Sequence, residues 1–173
     1  MTLKGVEEVN NIINDFVSQF DCTSRMGTDF SYIYDKNIIE WSFLVSETAD
    51  STFTQFLETN FPDINCNIFL WSLLHEIGHH ETCDIWEVDE QEEFDCEKDL
   101  LEMMYNRQEP LDEELKRELC LQYYEVPDEV EATYWAANYL RDNENQLREF
   151  WDKLQEQLVV FCELNNIQFE DDD

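Results

Sequence analysis

Glycine, proline and basic residues are all scarce in this sequence. Three glycines and three prolines among 173 residues leave no material for glycine-rich phosphate loops, collagen-like repeats or turn-dense β-sandwiches, and so favour helices. Only 10 lysines and arginines stand against 42 acidic residues, which gives a formal net charge of -32. The few cations are scattered and form no basic stripe. Such a surface repels phosphate backbones, which excludes direct nucleic-acid binding.

The sequence also lacks a signal peptide and any long apolar run. No apolar stretch approaches the roughly 20 residues that a spanning helix needs, so we expect no membrane contact and a cytoplasmic location. The six cysteines show no close pairing such as C-x-x-C, and we interpret them mainly as reduced, buried apolar residues. The length and the 43% hydrophobic content fit a single domain over residues 1–173.

Hydrophobic periodicity predicts a mostly helical α+β domain. Apolar residues recur at spacings of three and four in most segments, whereas one segment alternates and carries a turn signal at Asp35–Asn37. We predict a capping box formed by Asn143 and Gln146 at the start of the last helix. The predicted elements are a helix over Val6–Phe20, a hairpin over Phe30–Leu44, a short helix capped by Ser51 and ended by Pro62, a buried helix over Ile64–His80, a helix from Pro127 to about Leu140 and a helix over Asn143–Leu164.

Two segments are dominated by acidic residues. Residues 81–125 form an acidic insertion with a weak apolar stripe, for which we predict one or two surface helices or a mobile flap. Residues 170–173 form an acidic tail that we expect to be solvated.

All three histidines lie within one string of eight residues, Leu73–His80. On a helix, His75 and His79 are one turn apart and project from the same side, so both imidazoles can bind one zinc ion. Glu76 lies beside them and can act as the general base toward the attacking water. This is the H-E-x-x-H arrangement. Glycine is unfavourable inside a helix relative to alanine, so the presence of Gly78 indicates that a strand or a substrate backbone passes close by.

A catalytic zinc ion needs a third protein ligand, and no histidine remains for it unless His80 contributes. We favour a pair between His80 and Glu76, or a supporting role, over direct ligation. A carboxylate is therefore required, and Glu131 is the favoured candidate because its predicted helix has small and aromatic faces that can pack beside the histidines. Glu129 is the rival. Asp128 and Glu131 also match a capping box, in which Glu131 would have only a structural role.

The two motifs together resemble a known family. His-Glu-Ile-Gly-His, followed later by Glu-Ala-x-x-Trp-Ala-Ala-x-x-Leu from Glu131 to Leu140, is similar to the ImmA/IrrE-type zinc metallopeptidases. The resemblance implies a minimal zincin fold with a small β-sheet beside the active-site helix. It also implies zinc ligation by His75, His79 and Glu131, catalysis by Glu76, and cleavage of helix-turn-helix repressors that control mobile-element or damage-response genes.

These observations predict a zinc metallopeptidase of the HExxH type that hydrolyses peptide bonds. Tyr123, Tyr124 and Tyr134 are candidates for a phenol that assists the oxyanion. The acidic surface would attract a basic protein substrate, in agreement with a DNA-binding repressor. The alternative is an acidic binding protein without enzymatic activity, a DNA mimic or an inhibitor of a basic protein, with a relic metal site.

Overall fold

The computed structural model describes residues 3–42, 47–107 and 112–167. Within these ranges the chain is mostly helical with one small sheet, which confirms the α+β prediction. The helices are α1 (Val6–Val17), α2 (Glu47–Asn60), α3 (Ile68–Thr82), α4 (Val88–Tyr105), α5 (Glu113–Tyr124), α6 (Pro127–Asp142) and α7 (Glu144–Asn165); the strands are β1 (Thr23–Met26), β2 (Ser31–Ile33) and β3 (Ile38–Trp41). No helix in the described ranges is both long enough and apolar enough to cross a membrane.

The three strands form a mixed sheet in the order β1-β3-β2. Strands β2 and β3 pair antiparallel across the predicted turn, and the alternating residues Ile39 and Trp41 are fully buried, which confirms the hairpin. Phe43 and Leu44 lie outside the described residues. Strand β1, which pairs parallel with β3, was not predicted, because its four residues, Thr-Ser-Arg-Met, carry no apolar alternation.

One predicted helix start and one predicted capping box are wrong, although the last helix does begin at Asn143, which is its N-cap. Helix α2 begins at Glu47, so Ser51 lies inside the helix instead of capping it, although the helix does end before Pro62. At the start of α7, Asn143 makes no side-chain cap because its amide donates a hydrogen bond to the carbonyl of Tyr139 on the preceding helix. The capping box with Gln146 is therefore absent, and Gln146 donates to Gln19 instead.

The acidic insertion contains two helices, α4 and α5, which pack against each other. Leu101 and Leu119 form a small hydrophobic cluster with Val126, separate from the main core. Leu100 and Met104, two members of the predicted apolar stripe, are instead exposed. The tail at residues 170–173 lies outside the described residues.

Helix α3 is buried nearly all round and lies between α6 and the sheet. It approaches α6 closely at Gly78, where an added Cβ atom would collide with the backbone carbonyl of Ala132. The predicted close approach to a backbone at Gly78 is confirmed, but that backbone belongs to a helix. This contact fixes the distance between the histidine-bearing helix and α6.

Candidate metal centre

His75 and His79 on α3 converge with Glu129 on α6. The Nε2 atom of His75 lies 3.0 Å from one carboxylate oxygen of Glu129, and the Nε2 atom of His79 lies 3.3 Å from the other. All three side chains are buried, and their potential ligand atoms lie within 4.8 Å of one another. Two imidazoles and one carboxylate therefore form a group that can hold a metal ion.

Glu131, the favoured third ligand in the sequence, is not part of this group, and Glu129 takes its place. Helix α6 begins at Pro127 with Val126 as its N-cap, so the capping box of Asp128 and Glu131 is also absent. Two residues along a helix correspond to a rotation of about 200°. Since Glu129 faces α3, Glu131 points away from it and is only half-buried.

The orientation of the His75 ring follows from a hydrogen-bond chain through Thr133. The hydroxyl of Thr133 donates to the carbonyl oxygen of Glu129, 2.8 Å away. The same hydroxyl lies 3.1 Å from Nδ1 of His75, and because its hydrogen is already used it accepts the proton of Nδ1. In the neutral ring, Nε2 therefore carries a lone pair directed at the carboxylate of Glu129.

This donor set fits a divalent cation. A nitrogen lone pair and a carboxylate oxygen only 3.0 Å apart repel one another unless a proton or a metal ion lies between them. Metal-ligand bonds of about 2.0–2.1 Å in tetrahedral geometry place the ligand atoms roughly 3.3 Å apart. The two nitrogen-oxygen distances are close to this value but reach different oxygens of Glu129, and one ligand atom from each residue lies within 4.8 Å of the other two. His75, His79 and Glu129 would be the residues that hold the ion.

Lys98, on α4, forms an ion pair with the acidic residues at the start of α6. Its ammonium lies 2.6 Å from Asp128 and 3.2 Å from Glu129, and it is largely buried. Burial opposes its charge, yet Glu129 and Asp128 hold the pKa of Lys98 above its usual value. Burial alone would likewise raise the pKa of Glu129, but His79, His75 and their hydrogen bonds hold it well below its usual value. Glu129 therefore stays ionised.

Glu76 lies beside the two histidines without a partner of its own. It is only 8% exposed, and within the described residues no side chain or backbone group hydrogen-bonds to its carboxylate, which lines a cavity. Burial raises the pKa of Glu76 to about 7, an effect that His75 opposes and Glu129 reinforces. A carboxylate with such a pKa can both accept and return a proton near neutral pH.

The cavity in front of these residues has a volume of about 520 Å³. It is bounded by the start of the hairpin, α2 and α3 on one side and by the acidic helices α4 and α5 on the other. Of the candidate phenols, Tyr123 and Tyr124 line it. Tyr134 does not, because it is 52% exposed and packs against Phe61.

Tyr123 and His80 have different positions relative to the metal group. Burial and the nearby carboxylates of Glu129 and Glu76 raise the pKa of Tyr123, so its phenol remains protonated at neutral pH. His80 is not among the grouped ligands; its Nδ1 atom lies 2.9 Å from the hydroxyl of Tyr32 on β2. The predicted pair between His80 and Glu76 is absent from the described contacts. The contact between His80 and Tyr32 instead connects α3 to the sheet.

Lys98 and Thr133 were not predicted as parts of the site, and Glu129 was predicted only as the rival ligand, although the sequence carries a signal for Glu129 and for Lys98. The buried residues of α6 alternate in spacings of one and three, and the stripe that they form includes Glu129 and omits Glu131. Its members are Asp128, Glu129, Ala132, Thr133, Ala136, Ala137 and Leu140. Lys98 is the only lysine or arginine between Lys36 and Arg107, and an isolated cation in an acidic segment indicates a specific partner.

No protein-family model, no curated protein and no solved structure matches this chain. The resemblance to the ImmA/IrrE-type metallopeptidases therefore stays a prediction. The site must be interpreted from its own geometry.

Proposed function

We propose that this protein is a zinc-dependent metallopeptidase with a zincin-like domain. The observation that carries the proposal is the convergence of His75, His79 and Glu129 at the wall of a cavity, next to the carboxylate of Glu76, which makes no hydrogen bond within the described residues. Two imidazoles and one carboxylate are the ligand set of many hydrolytic zinc sites, which keep one coordination position open. Neutral nitrogen ligands with a single carboxylate suit zinc better than calcium or magnesium, which prefer oxygen.

The chain's own residues can perform the proton transfers of peptide hydrolysis. Zinc, when bound, would supply Lewis-acid polarisation of the scissile carbonyl and acidify the attacking water. Glu76 accepts the proton of that water and returns it to the leaving amine, for which its raised pKa is suited. Tyr123 stays protonated and can donate a hydrogen bond to the developing oxyanion.

We further propose a basic protein as the substrate. A net charge of -32 accelerates encounters with cationic partners and repels acidic ones. A DNA-binding repressor has the required charge, in line with the family that the motifs resemble. The cytoplasm would then be the site of action.

The test combines metal analysis with two variants. We expect about one zinc ion per chain in the purified protein, its loss in His79→Ala, and its retention in Glu76→Gln. Glu76→Gln should abolish hydrolysis of unfolded basic protein substrates, because the base is missing while the metal group is intact. A Glu131→Gln variant, which removes a nearby carboxylate that does not face the histidines, should keep both the metal and the activity. A folded wild-type protein without metal or hydrolysis would refute the proposal.

The high negative charge supports a second candidate, a binding protein that competes with DNA for basic proteins. This function does not need Glu76. If Glu76→Gln binds a basic partner as tightly as the wild type, if binding weakens steeply with salt, and if neither protein cleaves the partner, the binding function replaces the enzymatic one.

A further inference from the structure

Two further carboxylates line the same cavity as the metal group and come from separate elements. Asp29 lies in the loop between β1 and β2, and Glu102 lies on α4. Both residues are exposed at the rim of the cavity. The rim is therefore acidic on the sheet side and on the helix side.

These two carboxylates lack a cationic partner. Across the described ranges, no lysine, arginine or histidine forms an ion pair with either Asp29 or Glu102; Asp29 only accepts a hydrogen bond from the backbone amide of Phe30. Lys98, which also lines the cavity, is already paired with Asp128 and Glu129. Partial loss of water contact at the cavity raises the pKa of both carboxyl groups, although neither is fully enclosed. Repulsion from Asp99 and Asp29 adds to the shift of Glu102, and the charge of Lys98 opposes it. A cation entering between the two carboxylates would relieve this repulsion.

The walls of the cavity suit the stem of a long cationic side chain. Aromatic rings line it from several elements: Phe30, Tyr32, Tyr34, Tyr105, Tyr123 and Tyr124. Such rings pack against methylene groups and attract cations through their faces. The carboxylate of Glu76, more than nine-tenths buried and unpartnered, opens into the same cavity and marks it as a place where a ligand meets the catalytic group.

We propose that this cavity is a specificity subsite for a lysine or arginine side chain of the polypeptide substrate, with Asp29 and Glu102 as the residues that select it. The inference rests on the proposed peptidase function and specifies its substrate. A cationic side chain held at the acidic rim, with its stem along the tyrosines, would leave its backbone beside Glu76 and the metal group. Cleavage would then occur next to a basic residue.

A binding experiment tests the subsite without any hydrolysis. In the Glu76→Gln background at low salt, N-acetyl-arginine methylamide and its neutral analogue N-acetyl-citrulline methylamide are titrated and followed by nuclear magnetic resonance. We expect the arginine compound to bind about fivefold or more tightly than the citrulline compound. Adding Asp29→Asn and Glu102→Gln should remove this preference. Adding Glu93→Gln and Glu97→Gln, an equal two-charge change at exposed positions of α4 away from the cavity, should preserve it.

A cleavage experiment then connects the subsite to the activity. Peptides produced by cutting a proteome after glutamate, which keeps lysine and arginine internal, are incubated with the zinc-loaded wild type, and the new termini are identified by mass spectrometry. We expect lysine and arginine to be enriched at one position next to the cleaved bond. The Asp29→Asn/Glu102→Gln protein should still cleave but lose the enrichment.

The two experiments separate the possible failures. Equal binding of the arginine and citrulline compounds, or cleavage without basic enrichment, overturns the subsite and leaves the peptidase proposal in place. Selective arginine binding without any cleavage overturns the peptidase proposal. The cavity would then not be a subsite for a substrate that is cleaved.

Discussion

The hydroxyl of Thr133 sets the tautomer of His75. It donates to the carbonyl of Glu129 and accepts from Nδ1 of His75, so that one side chain orients the imidazole and ties it to the helix of the third ligand. Groups that orient a metal-binding histidine typically contribute 10- to 100-fold to metal affinity.

Thr133→Val should therefore weaken zinc binding by about 10-fold or more while the protein stays folded. Thr82→Val is the matched control, because Thr82 is also buried on a helix and its hydroxyl also donates to the carbonyl four residues earlier, that of Gly78. Zinc affinity is measured by competition with a chromogenic chelator. Equal affinities of the two variants would show that Thr133 does not orient the ligand.

The positive charge of Lys98 compensates the negative charges of Asp128 and Glu129, whose side chains are almost completely buried. Lys98→Met removes this compensation, so the free energy of unfolding of the metal-free protein should fall by about 3 kcal/mol. Lys116→Met, which removes an exposed pair with Glu113, should change stability little. Urea denaturation in the presence of a chelator measures both variants. A similar small effect for both would contradict a supporting role for Lys98.

At the scale of elements, the site depends on how closely α3 and α6 pack. Its ligands come from both helices, and the contact between Gly78 and Ala132 lets the two backbones approach. The acidic helices add Lys98 from α4 and Tyr123 from α5. The acidic insertion is thus part of the site and is more than a solvated surface.

Gly78→Ala should separate the two helices, because the new methyl group would collide with backbone atoms of Ala132 that cannot rotate away. We expect a destabilisation of about 2–3 kcal/mol and weaker zinc binding, although no ligand is changed. Helix propensity alone predicts the opposite sign, a gain of about 1 kcal/mol from alanine. Denaturant unfolding and zinc titration of the variant distinguish the steric prediction from the helix-propensity prediction. An increase in the free energy of unfolding would refute the close contact.

At the scale of the whole molecule, charge repulsion opposes folding. A net charge of -32 places many like charges within a Debye length of one another, and salt screens this repulsion. The exposed ion pairs, such as Arg141 with Asp63, are too few to offset it.

Raising the NaCl concentration from about 0.02 to 0.5 M at neutral pH should therefore raise the melting temperature by roughly 3–6 °C. A chelator removes the contribution of metal binding during the calorimetric measurement. Potassium chloride at equal ionic strength should give the same increase, because screening depends on ionic strength and not on the identity of the cation. A melting temperature that stays constant or falls would show that ion pairs outweigh the repulsion.

Several elements of the fold can be predicted from local sequence pattern alone. The amphipathic helix α1, the β2-β3 hairpin, the buried helix α3 and the start of α6 at Pro127 all follow from periodicity and turn residues. The juxtaposition of His75 and His79 follows as well, because residues four apart on one helix share a face whatever surrounds them.

Which side chains lie opposite the histidine-bearing face of α3 depends on tertiary packing. The selection of Glu129 over Glu131 depends on the rotation of α6 about its axis, which turns the buried stripe with Glu129 and Ala132 toward the core. The positions of Lys98, Thr133 and Asp29 depend equally on packing between distant segments. Local spacing fixes which side chains share a helix face, but only the burial of complementary faces determines which of them meet.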